Sequence, residues 1–588
     1  QINTPNLSTL YSLNSAKIDY IPHQFRPVLK FIRSERPRLL IADGVGVGKT
    51  IEAGLVLQEL KARKDVNSVL IICPRPLVTE RKWELEMKRF DESFTHLNGE
   101  LLRQCIKETD YDGEWPEKYS KIIIPYSLFN ESTVSGINNR LHNRNLGLIS
   151  LNPPPKFDLV IVDEAHHIRN TNTYSYKAVQ YFCNNAEAAL FLTATPIQLG
   201  DEDLFVLLNL LRPDLILDKE SFTSMSEPNP HINKAVTYIR SKCDNWATLA
   251  KEELIMASAT TWGRIVYTSN PDFLNSIECL SNEEISNDDR IRLINQIEGL
   301  HSFSSVINRT RRRDIGNYTV RKPETVRIKF TKEQRILHDR FLQIQAEILT
   351  RIHSDINIKF LMSTIRRQIA SCIFGLVPFL EEILTRHLDE LMLDYNMDVE
   401  IDNIDINSIR QQIDEVIVLA ENLPPEDPKL EGLITIINEK QTQDNNKIMI
   451  FSTFRHTLYY LWEKLSKQNY RIGLIHGGVD DDERIRLRRR FELPKELPDA
   501  IDIMLFSEVG CEGLDYQFCD CMVNYDLPWN PMRIEQRIGR IDRNGQKSEY
   551  VSIFNMITPG TVDADIYKRC LLRIGVFEES IGGSEEIL

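Results

Sequence analysis

A glycine-rich turn between an aliphatic run and a helix-like run constrains this chain more than any other stretch. The turn reads Gly46-Val47-Gly48-Lys49-Thr50, and the helix-like run extends from Ile51 to Ala62. A strand, a glycine loop and a helix N-terminus together direct backbone N–H groups at a phosphate, and the helix dipole adds positive potential. We expect this loop to cradle phosphates. In such a loop Lys49 reaches the β- and γ-phosphates and the Thr50 hydroxyl binds Mg²⁺.

Two positions near the turn leave alternatives open. Asp43 stands where the full pattern has glycine, so only the short form is present, and an ordinary glycine-rich turn is the alternative. Gln24 follows Pro22 ahead of the turn, and a glutamine amide can pair with the N6 and N7 edge of adenine. A surface glutamine is its alternative. The position of Gln24 before the loop favours the adenine contact.

The charge of the chain limits how it can bind a polyanion. Its 588 residues correspond to about four domain-sized units, and 42% apolar with 27% charged residues is typical of a globular protein. The net charge is −14, so the molecule as a whole repels nucleic acid. We therefore expect any nucleic acid to be held in a locally basic groove.

Cysteine usage and hydropathy indicate a cytoplasmic protein. The ten cysteines include no C-x-x-C pair, so we expect neither a zinc site nor a disulfide scaffold. No apolar run of about 18 residues is present, so no membrane span is expected. The chain begins at Gln1, so flanking segments can be missing from it.

An acidic tetrapeptide follows one of several aliphatic runs in the first third of the chain. Aliphatic runs of this kind are typical of parallel strands buried on both faces. They are residues 68–73, 121–126, 157–162 and 186–192. The third run leads into Asp163-Glu164-Ala165-His166. Beside a phosphate loop, Asp163 would hold Mg²⁺ through water and Glu164 would orient and deprotonate the attacking water; solvated surface is the alternative. The fourth leads into Thr193-Ala194-Thr195-Pro196, either a link between the γ-phosphate region and a neighbouring lobe or a polar strand end.

The middle of the chain differs in character. Residues 216–428 contain long helix-like segments, such as 338–352 and 358–392, separated by turns and acidic stretches. Arg309 with Arg311-Arg312-Arg313 forms a basic knot, which is either a solvated helix face or a phosphate contact.

A second series of aliphatic runs predicts a second parallel-sheet lobe. The runs are residues 447–452, 472–475, 501–506, 522–525 and 551–556. The segment from Trp529 to Arg543 contains Arg540 and Arg543, which are three residues apart and so share a helix face. Guanidinium groups placed there can stabilise transition-state charge on a phosphate held by the other lobe. A salt-bridged helix is the alternative.

In combination, these motifs resemble the helicase-like ATPases of superfamily two, and more specifically their Swi/Snf-type branch. The resemblance spans Pro22 to about Arg573. Trp529-Asn530-Pro531 and Asn544-Gly545-Gln546 are typical of that branch, and residues 507–513 resemble its prokaryotic, RapA-type sub-branch. Gly44 and Leu199 depart from the branch pattern, where Glu and Asn are usual, without removing a catalytic group.

The resemblance implies an α/β fold of two RecA-like parallel-sheet lobes with helical insertions. We expect the first lobe at 1–215, a helical insertion and linker at 216–330, a protrusion at 331–430 and the second lobe at 431–588. ATP and Mg²⁺ would occupy the cleft, with Gly513, Asp515, Gln536, Arg540 and Arg543 closing on the nucleotide. The residues expected to face a nucleic-acid backbone are Ser452, Thr453, His476, Gly477 and Ser507.

The function implied is ATP-driven translocation along double-stranded DNA, with RNA left open as a substrate. The motor could remodel nucleoprotein complexes, in transcription recycling or in anti-phage defence beside nuclease or methyltransferase subunits. One alternative is a strand-separating DNA or RNA helicase. Another is a nucleotide-switched assembly module that acts on a protein partner.

Overall fold

The chain divides into two compact units. A computed structural model describes residues 21–44, 46–79, 81–138, 144–193, 201–241, 244–282, 285–310, 319–351, 356–385, 410–508, 515–543 and 545–581. The first unit consists of residues 1–318 with 573–584, and the second of residues 319–572 with 585–588. The division at 318/319 falls within the predicted linker segment, 216–330, and the four predicted domain limits stay predictions.

The first unit is built on a parallel sheet. Among its described residues, seven strands lie in the order β3-β4-β2-β7-β8-β1-β9, and β5 and β6 form a separate antiparallel pair. The strands are β1 Arg38–Ile41, β2 Val69–Cys73, β3 Thr95–His96, β4 Lys121–Pro125, β5 Gly136–Asn138, β6 Arg144–Leu146, β7 Phe157–Asp163, β8 Ala186–Leu192 and β9 Ile307–Asn308.

Helices cover this sheet and continue into a helical insertion. They are α1 Arg26–Arg33, α2 Lys49–Arg63, α3 Arg75–Thr79, α4 Lys82–Met87, α5 Gly99–Asp112, α6 Glu131–Val134, α7 Tyr174–Asn184, α8 Asp201–Leu211, α9 Lys219–Ser226, α10 Asn229–Arg240, α11 Trp246–Ala259, α12 Thr261–Val266, α13 Pro271–Cys279 and α14 Asn287–Gly299. Helices α10, α11, α13 and α14 contribute to a hydrophobic core of their own, which includes Tyr267 and Phe273.

The topology of the first sheet explains where its chemistry lies. All five residues of β2 are buried, as expected of a strand covered on both faces. Strand β8 lies between β1 and β7 and runs parallel to both. The segments that follow these three strands therefore meet at one edge, where ligands bind in α/β sheets. The four predicted strands of this half are confirmed, with ends shifted by at most one residue.

The second unit contains a second parallel sheet. Six strands of its described residues lie in the order β10-β15-β14-β11-β13-β12. They are β10 Val320–Arg327, β11 Ile448–Phe451, β12 Ile472–Ile475, β13 Ile503–Phe506, β14 Cys521–Asn524 and β15 Tyr550–Ile557. The five predicted strands are confirmed. Edge strand β10 was not predicted, because it contains Pro323 and several charged residues and therefore does not form an aliphatic run.

The helices of the second unit divide one predicted segment. They are α15 Lys332–Arg351, α16 Ile356–Ser371, α17 Leu376–Thr385, α18 Arg410–Glu421, α19 Pro428–Gln441, α20 Arg455–Ser466, α21 Asp481–Glu492, α22 Pro531–Ile541 and α23 Val562–Ile581, which begins in this unit. The helix-like segment predicted over 358–392 is divided in its described part, because Cys372 is extended and a 3-10 turn, Ile373–Gly375, separates α16 from α17. Residues 386–392 lie outside the described ones.

The two predicted features of the molecule as a whole are an α/β class and two parallel-sheet lobes with helical insertions. Both are confirmed by the sheets and helices above. Within the described part of the chain, every helix is too short or too polar to cross a membrane.

Candidate nucleotide and nucleic-acid sites

The glycine-rich turn joins β1 to α2 and needs its glycines for conformational reasons. Gly46 and Gly48 have φ of 82° and 107°, a region that side chains with a Cβ rarely adopt. Gly48 also has no room for a side chain, since a Cβ there would lie 2.6 Å from Gln24 Nε2. Lys49 Nζ donates to the carbonyls of Asp43 and Gly44, at 3.0 and 3.2 Å. The lysine predicted to bind phosphates is thus held at the start of the loop.

Gln24 is a packing partner of this loop. Its side chain is buried, with the residue 4% exposed, and Nε2 donates to the Val47 carbonyl at 3.2 Å. The amide therefore touches the loop at Val47 and fills the space beside Gly48. The adenine contact of Gln24 stays a prediction.

The predicted acidic pair lies at the end of β7. Asp163 Oδ2 accepts from Trp83 Nε1 at 2.9 Å, and Asp163 Oδ1 accepts from the Glu164 amide at 2.8 Å. Glu164 has φ of 48° and ψ of 50°, a left-handed conformation that a residue with a Cβ adopts at a cost. This turn is typical of a functional site rather than of a solvated strand end. Trp83 was missed by sequence reasoning, since no motif marks it.

The two carboxyl groups have opposite electrostatic environments. Burial, and then the charge of Glu164, raises the pKa of Asp163 to about 6. Burial also acts to raise the pKa of Glu164, but the hydrogen bond to His166 and the charges of His166 and Lys49 outweigh it and lower that pKa to about 2. Glu164 therefore stays ionised well into the acidic range, whereas Asp163 takes up a proton as the pH falls through about 6.

His166 connects this pair to the end of the neighbouring strand. Its Nδ1 lies 3.3 Å from Glu164 Oε2 and 3.3 Å from Thr193 Oγ1. Thr193 directly follows β8, and its amide donates to the Ile41 carbonyl at 3.0 Å. The first residue of the predicted Thr-Ala-Thr-Pro link thus lies beside the acidic pair. Residues 194–196 of that prediction lie outside the described ones.

A buried carboxyl pair underlies the loop. Asp43 and Glu52 are both 0% exposed. Burial raises the pKa of each, and the charge of Asp43 further raises that of Glu52 well above its usual range. Asp43 Oδ2 and both carboxyl oxygens of Glu52 have no other hydrogen-bond partner, so a protonated Glu52 supplies the hydrogen the pair needs. Sequence reasoning treated Asp43 only as a departure from the glycine pattern and missed Glu52.

The predicted arginines of the second unit occupy a helix and the turn after it. Arg540 lies in α22, but the helix ends at Ile541, so the prediction that Arg540 and Arg543 share a helix face is wrong. Arg543 Nε donates to the Gly539 carbonyl at 2.9 Å, and its guanidinium forms an ion pair with Asp515. Asp515, a predicted nucleotide contact, is thus a partner of a predicted catalytic arginine. Gln536 is half-buried on the same helix, and Gly513 lies outside the described residues.

Arg537 fixes the position of α22 and was missed as a site residue. It donates to Asn524 Oδ1 at 2.7 Å and to Glu508 Oε1 at 2.8 Å. Burial favours the protonated form of Glu508, but the charges of Arg533 and Arg537 outweigh it and lower the pKa of Glu508 to about 2. The helix is therefore tied to β14 and to the segment after β13 by a buried ionic network.

Three of the predicted nucleic-acid contacts follow adjacent parallel strands. Ser452 follows β11, His476 follows β12 and Ser507 follows β13, so they lie at one edge of the second sheet. Gly477 is exposed there, and His476 Nε2 lies 3.2 Å from the Tyr459 hydroxyl.

The hydroxyl of Ser452 is used inside the protein. Ser452 is 0% exposed and donates to Asp526 Oδ2, while the Thr453 amide donates to Asp526 Oδ1 at 2.8 Å. The Ser452 side chain thus serves to position the Thr453 backbone. Contacts of these residues with nucleic acid stay predictions.

Comparison with known protein families identifies the chain. A model of the SNF2-related domain matches residues 23–371, more than half of the chain, and one of the helicase conserved C-terminal domain matches residues 428–545. The chain belongs to the SNF2-related family. The predicted assignment to the Swi/Snf-type helicase-like ATPases is thereby confirmed, and the relatives described next include RapA proteins.

Relatives of this SNF2-related protein include bacterial proteins of greater length. It is 27% identical over 575 residues to the uncharacterized ATP-dependent helicase YqhH of Bacillus subtilis (strain 168). That alignment covers 97% of this chain and 80% of the relative. It is 27% identical over 543 residues to the RNA polymerase-associated protein RapA of Pectobacterium atrosepticum, covering 91% of this chain and 48% of the relative. The chain thus spans about half the length of that RapA relative. A Sulfolobus solfataricus SWI2/SNF2 ATPase core in complex with dsDNA aligns over 98% of this chain and 96% of its own, at 17% identity and a TM-score of 0.34.

Proposed function

We propose that this SNF2-related protein is an ATP-driven translocase on double-stranded DNA that remodels nucleoprotein complexes. The observation that carries the proposal is the Asp163-Glu164 turn, which follows β7 at the sheet edge where the phosphate loop follows β1. The charges of His166 and Lys49 favour the ionised form of Glu164 there and lower its pKa. An ionised carboxylate can orient a water for attack on the γ-phosphate, and in this proposal Glu164 also takes the proton of that water as the γ-phosphate is transferred.

The donor set of the first unit fits Mg²⁺, which prefers oxygen ligands and retains several of its waters. The Thr50 hydroxyl and, through water, the Asp163 carboxylate would hold the ion, and the ion would offset charge on the phosphates. Trp83 and the Glu164 amide fix both oxygens of Asp163 in place, and each oxygen keeps a second lone pair for a water.

The second unit supplies the other half of the chemistry in this proposal. Arg540 and Arg543 stabilise the charge that develops on the phosphate being transferred, and Gln536 closes on the nucleotide. Hydrolysis removes the phosphate that both units hold, so the grip of each unit on the DNA backbone alternates. The backbone at Thr453, His476, Gly477 and Ser507 provides the contacts of the second unit.

ATP hydrolysis measured with no nucleic acid, single-stranded DNA, double-stranded DNA and RNA tests the proposal. We expect the largest stimulation with double-stranded DNA. Displacement of a triplex-forming strand without separation of the underlying duplex would show translocation. Stimulation by single strands alone, or by a protein alone, would contradict the proposal and favour the helicase or the assembly module.

Glu164→Gln tests the role of this carboxylate in hydrolysis. Glutamine keeps the size of the side chain but cannot accept the proton, so we expect nucleotide and DNA affinity close to wild type and loss of turnover. Near-normal hydrolysis in this variant would remove Glu164 as the base. Glu187→Gln, which changes an exposed carboxylate paired with Lys64, is the matched control and should hydrolyse ATP normally.

Binding to RNA polymerase is a more specific candidate than remodelling of nucleoprotein complexes in general. The Pectobacterium relative is named as RNA polymerase-associated, which supports binding of the transcription machinery by this chain. Co-purification of RNA polymerase with the protein tests this, and its absence at matched concentrations counts against the role. Strand separation is a second candidate, because the Bacillus relative is named as an ATP-dependent helicase.

A further inference from the structure

A hydrogen-bonded ladder connects the phosphate loop to the segment by which the chain leaves the first unit. Strand β1 pairs with β9 through Leu40↔Ile307 and Ile41↔Asn308. The ladder continues beyond both strands, because the Ala42 amide donates to the Asn308 carbonyl at 2.7 Å and the Gly44 amide donates to the Thr310 carbonyl at 3.1 Å.

The carboxylate of Asp43 closes this ladder from the loop side. Asp43 Oδ1 accepts from the Thr310 amide at 2.9 Å and from Asn308 Nδ2 at 3.0 Å. All three residues are buried. A buried carboxyl oxygen that loses its hydrogen-bond partners costs free energy, so both of these contacts hold the loop to the outgoing segment. Loop and outgoing strand are therefore one hydrogen-bonded unit.

The backbone of the same residue contacts the phosphate-binding lysine. The Asp43 carbonyl accepts from Lys49 Nζ at 3.0 Å, and the Gly44 carbonyl accepts from it at 3.2 Å. If Lys49 turns to a bound phosphate, both carbonyls lose this donor. Both residues also hydrogen-bond to Thr310, so the contacts of the lysine and of Thr310 share the same two residues. In sequence, the second unit begins at Thr319, nine positions after Thr310.

We propose that Asp43 is a positioning residue that couples nucleotide binding in the phosphate loop to the chain segment leading to the second unit. The inference rests on the proposed function and adds the means by which the ATP site communicates with the DNA-binding half. The oxygen atom Oδ1, rather than the charge alone, carries the coupling, because it holds both Thr310 and Asn308.

The test is the coupling between nucleotide and DNA binding at equilibrium. The Kd for a DNA duplex is measured on the whole protein with and without a non-hydrolysable ATP analogue and Mg²⁺, and the ratio of the two values is the coupling factor. Couplings of this kind are roughly 5- to 150-fold. We expect Asp43→Ala to bring the factor to about one, and Asp43→Asn, which keeps an oxygen acceptor at the same position, to retain most of it.

Asp158→Ala is the matched control. Asp158 Oδ2 accepts from the Asn67 and Ser68 amides at 2.7 and 2.8 Å, so this carboxylate also ties two backbone segments of the first unit together. It lies at the opposite edge of the sheet, where β2 and β7 begin. Its loss should leave the coupling factor at the wild-type value.

Each outcome decides the inference. Wild-type coupling in Asp43→Ala overturns it, and so does an equal loss in Asp43→Asn, since the charge would then matter rather than the oxygen. If Asp43→Ala does not fold, Asn308→Ala removes one of the two donors, and we expect a partial loss; an unchanged factor overturns the inference. A wild-type protein that hydrolyses ATP with double-stranded DNA but shows no coupling overturns this inference alone, whereas one that neither binds nor hydrolyses ATP overturns the proposed function.

Discussion

At the scale of single residues, the phosphate loop depends on backbone conformation as much as on side-chain chemistry. Gly48 combines a φ of 107° with close contact to Gln24. Its replacement adds both backbone strain and a clash, while the catalytic side chains of the loop stay intact. A substitution at Gly48 therefore tests the backbone conformation of the loop without changing its charged side chains.

Gly48→Ala should weaken nucleotide binding substantially. A left-handed conformation costs a residue with a Cβ roughly 1–2 kcal/mol, and the new methyl group must also displace the Gln24 amide. Titration with a fluorescent ATP analogue measures the loss. Gly299→Ala is the matched control, because a Cβ there meets nothing within 4 Å, and it should bind nucleotide as wild type does. Unchanged affinity in Gly48→Ala would contradict the described loop.

Residue types predicted which segments meet at the end of the first sheet, but not the buried contacts that support them. Lys49, Thr50, Asp163 and Glu164 belong to short motifs with a known physical use, and the structure brings the segments that carry them to one edge of the sheet. The carboxylate of Asp43 bonds to residues more than 260 positions away in sequence, and no local pattern marks such a partner. Short motifs therefore mark the segments that form the site, whereas their tertiary support is invisible in sequence.

At the scale of elements, a buried ionic network fixes α22 to its neighbours. Glu508 follows β13, Arg533 and Arg537 project from α22, and Asn524 ends β14. The network explains why the helix that carries Gln536 and Arg540 has a defined position on the sheet. It depends on an ionised carboxylate, so the position of the helix should depend on pH.

Stability of the second unit should fall in acid because of Glu508. Its pKa is lowered from 4.5 to about 2 in the folded protein, so its contribution is present above pH 4.5 and is lost as the pH falls towards 2. The shift corresponds to about 3 kcal/mol. We expect the difference in urea stability between wild type and Glu508→Gln to shrink over this range. Glu463→Gln removes an exposed pair with Lys467 that solvent screens, so it should show a much smaller change, and a constant Glu508→Gln difference would contradict the network.

Element boundaries were predicted best where burial dictates them. The aliphatic strands were located to within two residues, because strands buried on both faces must be apolar throughout. The ends of helices depend on local packing. Gly375 lies close to Gln368 and to the backbone at His456, and this approach accompanies the break after α16 that helical periodicity did not indicate. Arg543 was misplaced for the same kind of reason, since α22 ends two residues before it.

At the scale of the whole molecule, the net charge of −14 opposes association with DNA. Binding must therefore come from a locally basic surface, and neutralised phosphates release counterions. We expect the affinity for a duplex to fall steeply between 50 and 200 mM salt, by about a thousandfold if roughly six phosphates are contacted. Fluorescence anisotropy over a salt series measures the slope. Affinity independent of salt would contradict a backbone-tracking motor.

Two successive parallel-sheet lobes were predicted because both halves of the chain show the same alternation of strands and helices. Aliphatic strands alternate with helices in both, and parallel sheets require such crossovers. The structure bears this out with two separate parallel sheets. The helical insertion after α8 was predicted as helical but not as a body with its own core, which depends on contacts between α10 and α14 across many residues.

The central claim is that a triphosphate held by the first half of the chain is cleaved with the help of arginines from the second half. Turnover and nucleotide affinity of Arg543→Ala, measured in parallel with saturating double-stranded DNA, test it most directly. Arg486→Ala, which removes an exposed arginine paired with Glu483, is the control. The account predicts that Arg543→Ala binds ATP nearly as wild type does and hydrolyses it about a thousandfold more slowly. Turnover that is unchanged, or that falls only in proportion to lost binding, would contradict it.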